Sequence, residues 1–564
     1  MPIHDEWVLA QAAGPGGRLS VHEDLEPVFA RRGVGCAEEL EAWRSPGMAS
    51  LHDPGTIGGM DAAASRILRA VRDHETILIY GDYDVDGVTS IVLLRTVLRS
   101  LGADVDFVVP HRVFDGYGLK TEVLDRVLKE RAVRLVITVD CGITSVEPVA
   151  HAVDRGIDVI ITDHHLPPEL LPEAAAVLNP KQEGCSYPYK ELAGVGVAFK
   201  LCCELIRRSG SSLSIESLVK IAAIGTVADV APLTGENRAI VKIGLDGLAD
   251  PRNPGLRALL RSLQLLGRPL RASDVGFRIG PRINAAGRLA SATTAIDLFD
   301  ARDEAAAVPL VAELERLNRE RQALEAAVIR SAEESVAAMG ALPPILVVAG
   351  DGWHRGVVGL CAGRLAQKYN RPVLAIAREG GECVGSGRSI GGIDLHGELS
   401  KVADLFTRFG GHTHACGFSF PAENLDRLRA RLMAQLAGTD PELFRRRIEV
   451  DAEIAIARMD ARFKEDHASL EPFGQENRQP TFLARGVFVD SAREFSPGCF
   501  RLSVRQGTDR SSAIAWPSTA APLAGVLGEG RTVDLLFRLE PDRYEGHRLE
   551  VVDAAAAGDA PVAN

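Results

Sequence analysis

The chain has 564 residues, 46% of them hydrophobic and 25% charged, too long for a single hydrophobic core and too apolar for extended disorder. Its net charge of −12 at pH 7 argues against a uniformly basic nucleic-acid binder, yet a whole-chain total leaves room for a basic groove between acidic outer faces. Residues 1–60 are mixed in character and punctuated by Gly and Pro. From 61 onward strand-like and helical runs alternate. ETILIYGDYDVDG predicts a strand at 76–80, TSIVLLRTVLRSLG a helix, and VDFVVP a second strand at 105–110. VITVDCG and DVIITDHH predict two more, each short, β-branched and ended by polar residues. This alternation predicts a doubly wound parallel α/β sheet within 61–302, closed by SLVKIAAIGTVADVAPL. Leu310, Leu314, Leu317, Leu324 and Val328 recur near helical spacing and predict one connecting helix over 303–340. A second α/β unit is expected over 341–440. Five short strand-like runs between 446 and 555 predict an OB-like β-barrel, and the tail 556–564 is expected to be disordered.

Four clusters in the first unit carry the chemistry, and all four are read as strand ends. They are Asp82, Asp84 and Asp86 in YGDYDVDG; Asp140 in TVDCG; Asp163, His164 and His165; and Asp229 in TVADVAPL. One aspartate after a strand is ordinarily a turn or helix cap. DYDVDG alone resembles the start of a calcium loop, but no Glu occupies its twelfth position. Carboxylates gathered at the carboxyl ends of neighbouring strands repel one another unless cations lie between them. Oxygen and imidazole donors without thiolate suit Mn²⁺ or Mg²⁺. Two such cations clamp a phosphoester, activating water on one side and stabilising the leaving oxygen on the other.

The ordered set DYDVDG, PHRVFDGYGL, DHH, ADVAPL, GPRINAAGRL and LEPFGQENRQP resembles the DHH phosphoesterase superfamily, and within it the RecJ-type single-strand-specific exonucleases. The resemblance runs along nearly the whole chain. It implies a DHH domain, a DHHA1 domain and an OB fold, with Asp82, Asp84, Asp86, Asp140, His164 and Asp229 as ligands of two divalent cations. Asp82 and Asp140 are thereby also catalytic, and His165 contacts the scissile phosphate. Many relatives open the first motif with His where this chain has Tyr80, so the division of Asp82, Asp84 and Asp86 between the ions stays open. Substrate contacts are expected from Arg112, Arg278 and Arg282, and from Ser386 and Arg388 in a Gly-flexible loop, with His412 in the GGH signature. Arg288 is as readily a cap or surface partner. Phe500, Phe537 and Tyr544 are candidate stacking residues on composition alone, and equally candidates for the barrel core.

The implied activity is 5′-to-3′ hydrolysis of single-stranded DNA to mononucleotides in repair and recombination, with a helicase and a single-strand-binding protein as partners and a monomeric state. A small-dinucleotide phosphodiesterase shares the DHH–DHHA1 plan but is usually shorter and without the barrel. A non-catalytic binding factor would lack ligands that are all present here. The nine cysteines form no CxxC pair, arguing against a disulfide framework or zinc ribbon. No apolar run nears the ~20 residues that span a bilayer. MPIHDEWVLA has no basic-then-apolar leader, so no membrane partner and a cytoplasmic location are expected.

Overall fold

The structure is a computed structural model that describes residues 2–11, 19–112, 114–542 and 546–563. The expected parallel sheet has the spatial order Val105–Val108, Thr76–Gly81, Val133–Val139, Asp158–Thr162, Ala176–Leu178. In chain order this is 2-1-3-4-5, so the winding reverses between the first and third strands, where such sheets open a ligand crevice. Alternate residues feed two cores. Ile77, Ile79, Leu135 and Ile137 face one, and Leu78, Tyr80, Val136 and Ile161 the other. Both faces lie under helices, which is why these strands read as unbroken apolar runs.

One reading of the sequence is corrected here. The run before Asp229 is not a strand but the helix Ile215–Ala228, and Asp229 caps its carboxyl end. It packs among Val85–Ser100, Gly194–Ser209 and Gly235–Leu248. A helix buried on most sides and a buried strand carry the same apolar signature, and periodicity does not separate them.

Helix Glu304–Ala337 has 34 residues and is about 51 Å long. Its first half contributes Leu314 and Leu317 to the core of the first unit. Its second half contributes Val328, Ala332 and Val336 to the core of the second. One rigid element therefore sets the spacing of two sheets. The second sheet runs Arg408–His412, Ala415–Pro421, Glu382–Arg388, Val373–Glu379, Leu346–Asp351, with only the last pair parallel.

The expected barrel forms from Phe482–Ser496, Cys499–Gln506, Asp509–Ala515, Gly546–Ala556 and Thr532–Asp542 in that order, and closes where Phe482 pairs with Phe537. Leu25, Val28 and Phe29 from the N-terminal segment enter its core. Strand Glu6–Leu9 pairs in parallel with Arg447–Val450 and with Val562–Ala563. The described part of the tail expected to be disordered, 556–563, is thus ordered, and residue 564 lies outside the described residues. The free edge of the N-terminal strand recruits two tail residues whose small, polar neighbours conceal the pairing in the sequence.

Candidate active site

The turn after strand Thr76–Gly81 carries the first cluster. Asp84 caps helix Val85–Ser100, its Oδ1 accepting from the N–H of Asp86 at 2.9 Å and of Gly87 at 3.1 Å. Asp140 follows strand Val133–Val139 with a φ of 58°, a left-handed conformation that Asp and Asn tolerate better than most residues. Its N–H bonds the Thr162 carbonyl at 3.0 Å. These two turns belong to the first and third strands, so the carboxylates flank the reversal crevice. Asp163, His164 and His165 leave the adjacent fourth strand, and Asp229 arrives from the helical layer.

His164 Nε2 lies 3.3 Å from Asp140 Oδ1, 3.8 Å from Asp229 Oδ2 and 3.9 Å from Asp86 Oδ2. The ligand atoms of Asp82, Asp84 and Asp140 all lie within 4.8 Å of one another, as do those of Asp86, His164 and Asp229 and those of Asp140, His164 and His165. Shared Asp140 and shared His164 join the three groups into one cluster. Asp82 Oδ1, Asp140 Oδ1 and His164 Nε2 are buried without a hydrogen-bond partner, an unfavourable state that a cation relieves. The donors are carboxylate oxygens and imidazole nitrogens, which fit Mn²⁺ or Mg²⁺.

Electrostatics separate the cluster into two kinds of group. Burial, then the charge of Asp84, holds the Asp82 carboxyl well above the usual range. Burial and Asp86 do the same to Asp140 and Asp229, and burial with Asp84 pushes Asp86 up to about 7. Burial and the neighbouring His165 take His164 down to about 3, leaving the neutral imidazole that ligates metals. His165 goes the other way. Burial, the largest single influence, opposes its charge, but the Nδ1 bond to Asp163 Oδ1 at 2.7 Å together with the charges of Asp163, Asp86 and Asp84 raises it. Asp163 is lowered although burial resists, because His165 and the N–H of Ile143 at 2.9 Å both favour the carboxylate.

The sequence does not show three contributions: the N–H cradle of Asp86, the Tyr117 hydroxyl, and the anchoring role of Asp163, which was visible there only as a member of the His–His cluster. The N–H groups of Gly194 and Val195 cradle Asp86 at 2.7 and 2.6 Å. A side-chain carbon at Gly194 would lie 2.7 Å from Asp140 Oδ1 and 2.9 Å from Asp86 Oδ2, so only glycine fits. Tyr117, from PHRVFDGYGL, donates its hydroxyl to the Asp140 carbonyl at 3.3 Å and lies 3.1 Å from His165 Nδ1. Asp163 anchors His165 and is absent from the cation cluster. Gly at a helix start and Asp before His–His were the available signals, and neither identifies its partner.

Across the cleft stands a cationic wall. Ser386 and Arg388 lie in strand Glu382–Arg388, not in a flexible loop. The glycine between them serves packing: a side-chain carbon at Gly387 would lie 2.7 Å from Leu395 Cδ2. Arg388 Nη1 donates to Ser386 Oγ at 2.9 Å. Burial and then the charge of Arg112 depress both Arg388 and Arg288, the latter to about 9. Arg112 itself sits over the Tyr83 ring at 4.6 Å. Cations crowded closely enough to depress one another make an anion site. His412 ends strand Arg408–His412 and is lowered by burial and by the charge of His165, so it borders the same cleft.

Arg278 and Arg282 do not join this wall. Arg278 bonds Asp274 at 3.1 Å and the Leu263 carbonyl, and Arg282 bonds Glu315 at 2.8 Å. Carboxylates one turn away and on the long helix claim them, and Arg288 faces the cleft instead. Two of the barrel aromatics take the core alternative. Phe537 is wholly inside the barrel core and Phe500 packs against it, while Tyr544 lies outside the described residues.

The chain matches three family models: the DHH family N-terminal domain over residues 76–226, the DHHA1 domain over 342–438 and the RecJ OB domain over 450–552. It is 39% identical over 483 residues to the single-stranded-DNA-specific exonuclease RecJ of Bacillus subtilis, covering 85% of this chain and 60% of that protein. It is 36% identical over 565 residues to the Escherichia coli protein of the same name, covering 94% of each. The crystal structure of RecJ in complex with Mn²⁺ from Thermus thermophilus superposes with a TM-score of 0.82 at 31% identity, covering 98% of this chain and 79% of that one.

Proposed function

The chain belongs to the RecJ family, and from that premise and the site geometry we propose that it is a metal-dependent exonuclease specific for single-stranded DNA. The observation that carries this reading is the pairing of two opposed surfaces. Six side chains able to ligate metal, with partnerless buried atoms among them, lie within electrostatic reach of Arg112 and Arg288, which in turn adjoin Arg388 and Ser386.

Asp82, Asp84, Asp86, Asp140, His164 and Asp229 would hold two cations, Mn²⁺ or Mg²⁺. When bound, these supply an activated water and charge stabilisation for the leaving oxygen. The chain's own residues do the rest. Arg388 and Arg112 bind the strand through its phosphate oxygens by charge-assisted hydrogen bonds. His165, oriented by its Nδ1 bond to Asp163 and steadied by the Tyr117 hydroxyl, offers its other ring nitrogen as a hydrogen-bond donor to the phosphoryl oxygen as negative charge accumulates there. Gly194 and Val195 hold Asp86 in place through their N–H groups.

Family membership also supports 5′-to-3′ polarity, mononucleotide products and a role in repair and recombination. It supports a cytoplasmic location, action as a monomer, and a helicase and single-strand-binding protein as partners. Among the described residues no helix is long and apolar enough to cross a membrane. The direct test is digestion of a long single strand labelled at its 5′ end, with Mn²⁺, Mg²⁺ or EDTA, beside the blunt duplex. Metal-dependent release of the label as mononucleotide with the duplex spared is expected. An intact strand in Mn²⁺ alongside a cleaved dinucleotide would overturn the assignment.

A further inference from the structure

A groove of about 540 Å³ opens beside Asp229, between the end of helix Ile215–Ala228, the 275–288 region and the 473–479 segment leading to the barrel. Two apolar side chains project into it. Val230 is 63% exposed at a φ of 59°, a left-handed conformation that a β-branched residue holds only when its surroundings impose it. The surroundings here are the Asp229 N–H closing the helix on Gly225 and the Leu233 N–H bonded to the Gln475 carbonyl at 2.7 Å. Phe277 is 81% exposed on the π-helical turn Val275–Ile279, a local widening frequent at functional sites. On the same wall Asn284 presents a buried Oδ1 without a partner.

The charge of the groove is one-sided. In a chain of net charge −12, no carboxylate among the described residues lines it, whereas Arg288, Arg321, Arg478 and Arg538 do. Arg321 and Arg478 are held by ion pairs, but Arg288 donates to the Gly356 carbonyl at 3.1 Å and Arg538 to the Thr481 hydroxyl at 3.5 Å. An exposed aromatic face, an unsatisfied amide and a cationic rim together match a nucleobase on its sugar-phosphate. A purely apolar protein segment would leave the arginines and the amide without a role.

We propose that this groove is a nucleobase subsite of the active site. The single strand unstacks over Val230 and lays a base on Phe277, while Asn284 meets the base edge. This inference rests on the exonuclease reading above and deepens it. Strand selectivity then comes from the bases as well as from cleft width, because a base stacked and paired in a duplex cannot offer its face to Phe277.

The test compares a thymidine strand with an abasic strand of equal length and charge, by fluorescence anisotropy in Mn²⁺. The protein carries His165→Ala to slow turnover. The thymidine strand is expected to bind about tenfold more tightly, the scale of one base–aromatic stack. Adding Phe277→Ala should bring the two affinities together by weakening only the thymidine strand, and Phe277→Trp should keep them apart. Equal affinities at the outset, an unchanged ratio in Phe277→Ala, or equal weakening of both strands would each overturn the subsite. Digestion of the labelled strand by the unsubstituted protein separates the two ideas. Cleavage without base preference removes the groove's role and leaves the exonuclease, whereas base preference without cleavage does the reverse.

Discussion

Asp140 in the α/β unit and Asp553 in the barrel are the same residue type at nearly the same burial, 2% and 0% exposed, yet their surroundings are opposite. Asp553 Oδ2 bonds the His4 ring Nδ1 at 2.9 Å and accepts from the N–H of His4 at 2.8 Å and the Trp7 indole at 3.0 Å, while Oδ1 accepts from the N–H of Ile3 at 2.7 Å. Although burial opposes it, these donors hold the carboxyl below its usual range. Asp140 Oδ1 has no donor, other carboxylates surround it, and its carboxyl is held well above that range. Burial of a charge therefore does not mark a functional site. What marks one is buried charge that the fold leaves uncompensated, because something outside the chain must complete it.

The sharpest way to break this comparison is Asp140→Asn. Asn tolerates the left-handed backbone at this position, so the substitution removes charge while preserving shape. Activity on single-stranded DNA is expected to fall about 10³-fold or more, corresponding to loss of several kcal/mol of transition-state stabilisation. The melting temperature in EDTA should hold or rise, since a repelled buried charge is gone. A variant that stayed active, or melted well below the parent in EDTA, would show that Asp140 is a structural carboxylate like Asp553.

Cation addition sharpens the same contrast. Mn²⁺ at 100 times its Kd should stabilise the parent by about 2.7 kcal/mol, read as a rise in melting temperature, and Asp140→Asn should largely lose that rise. An Asp553 variant should keep it. No shift in the parent would mean that the cluster holds no cation at all.

Legibility from the sequence followed the same physical divide. Residues that act at the end of a short apolar strand were visible, because the strand announces its own end: Asp82, Asp140 and His164 are of this kind. Asp229 was visible as a motif residue but misplaced, since a buried helix imitates a buried strand. Ser386 and Arg388 were found, yet the glycines around them meant close packing against Leu395 and not a mobile loop. Tyr117 and Gly194 act through tertiary neighbours distant in the chain, and no local spacing reports such partners, whereas Asp163 bonds His165 two residues on and its anchoring role lies in side-chain geometry alone. Arg278 and Arg282, read from the GPRINAAGR motif as lining the strand path, pair with Asp274 and Glu315 in the structure, and a motif does not report such pairing.

Arg388→Ala tests the cationic wall opposite the carboxylates. Loss of a charge-assisted hydrogen bond is worth about 1.5–3 kcal/mol, so kcat/KM on single strands should fall roughly 10- to 100-fold. Arg388→Lys should recover only part of this, since an ammonium cannot bond phosphate oxygens in the planar, two-pronged manner of a guanidinium. Full recovery by Lys would reduce the wall to a diffuse positive field. An unchanged kcat/KM in the alanine variant would remove Arg388 from the substrate path.

Asp553→Asn carries the smallest effect and tests the satisfied half of the comparison. The folded protein binds a proton to Asp553 less readily than the unfolded chain does, whose carboxyl titrates near pH ~3.9. Its stabilising contribution is therefore complete above that pH and is lost as pH falls through the lower folded value. At pH 7 the variant should be destabilised by about 1–2 kcal/mol, because neutral Asn accepts the Ile3, His4 and Trp7 donors more weakly. Below pH 4 the parent should approach the variant, so that two denaturation curves separated at neutrality converge in acid. The rate on single-stranded DNA at pH 7 should not change, since Asp553 closes the seam between the chain's N-terminal strand and the barrel and touches nothing in the cleft. Parallel curves at every pH would mean that the Asp553 charge contributes nothing beyond its shape, and the contrast with Asp140 would then rest on the uncompensated site alone.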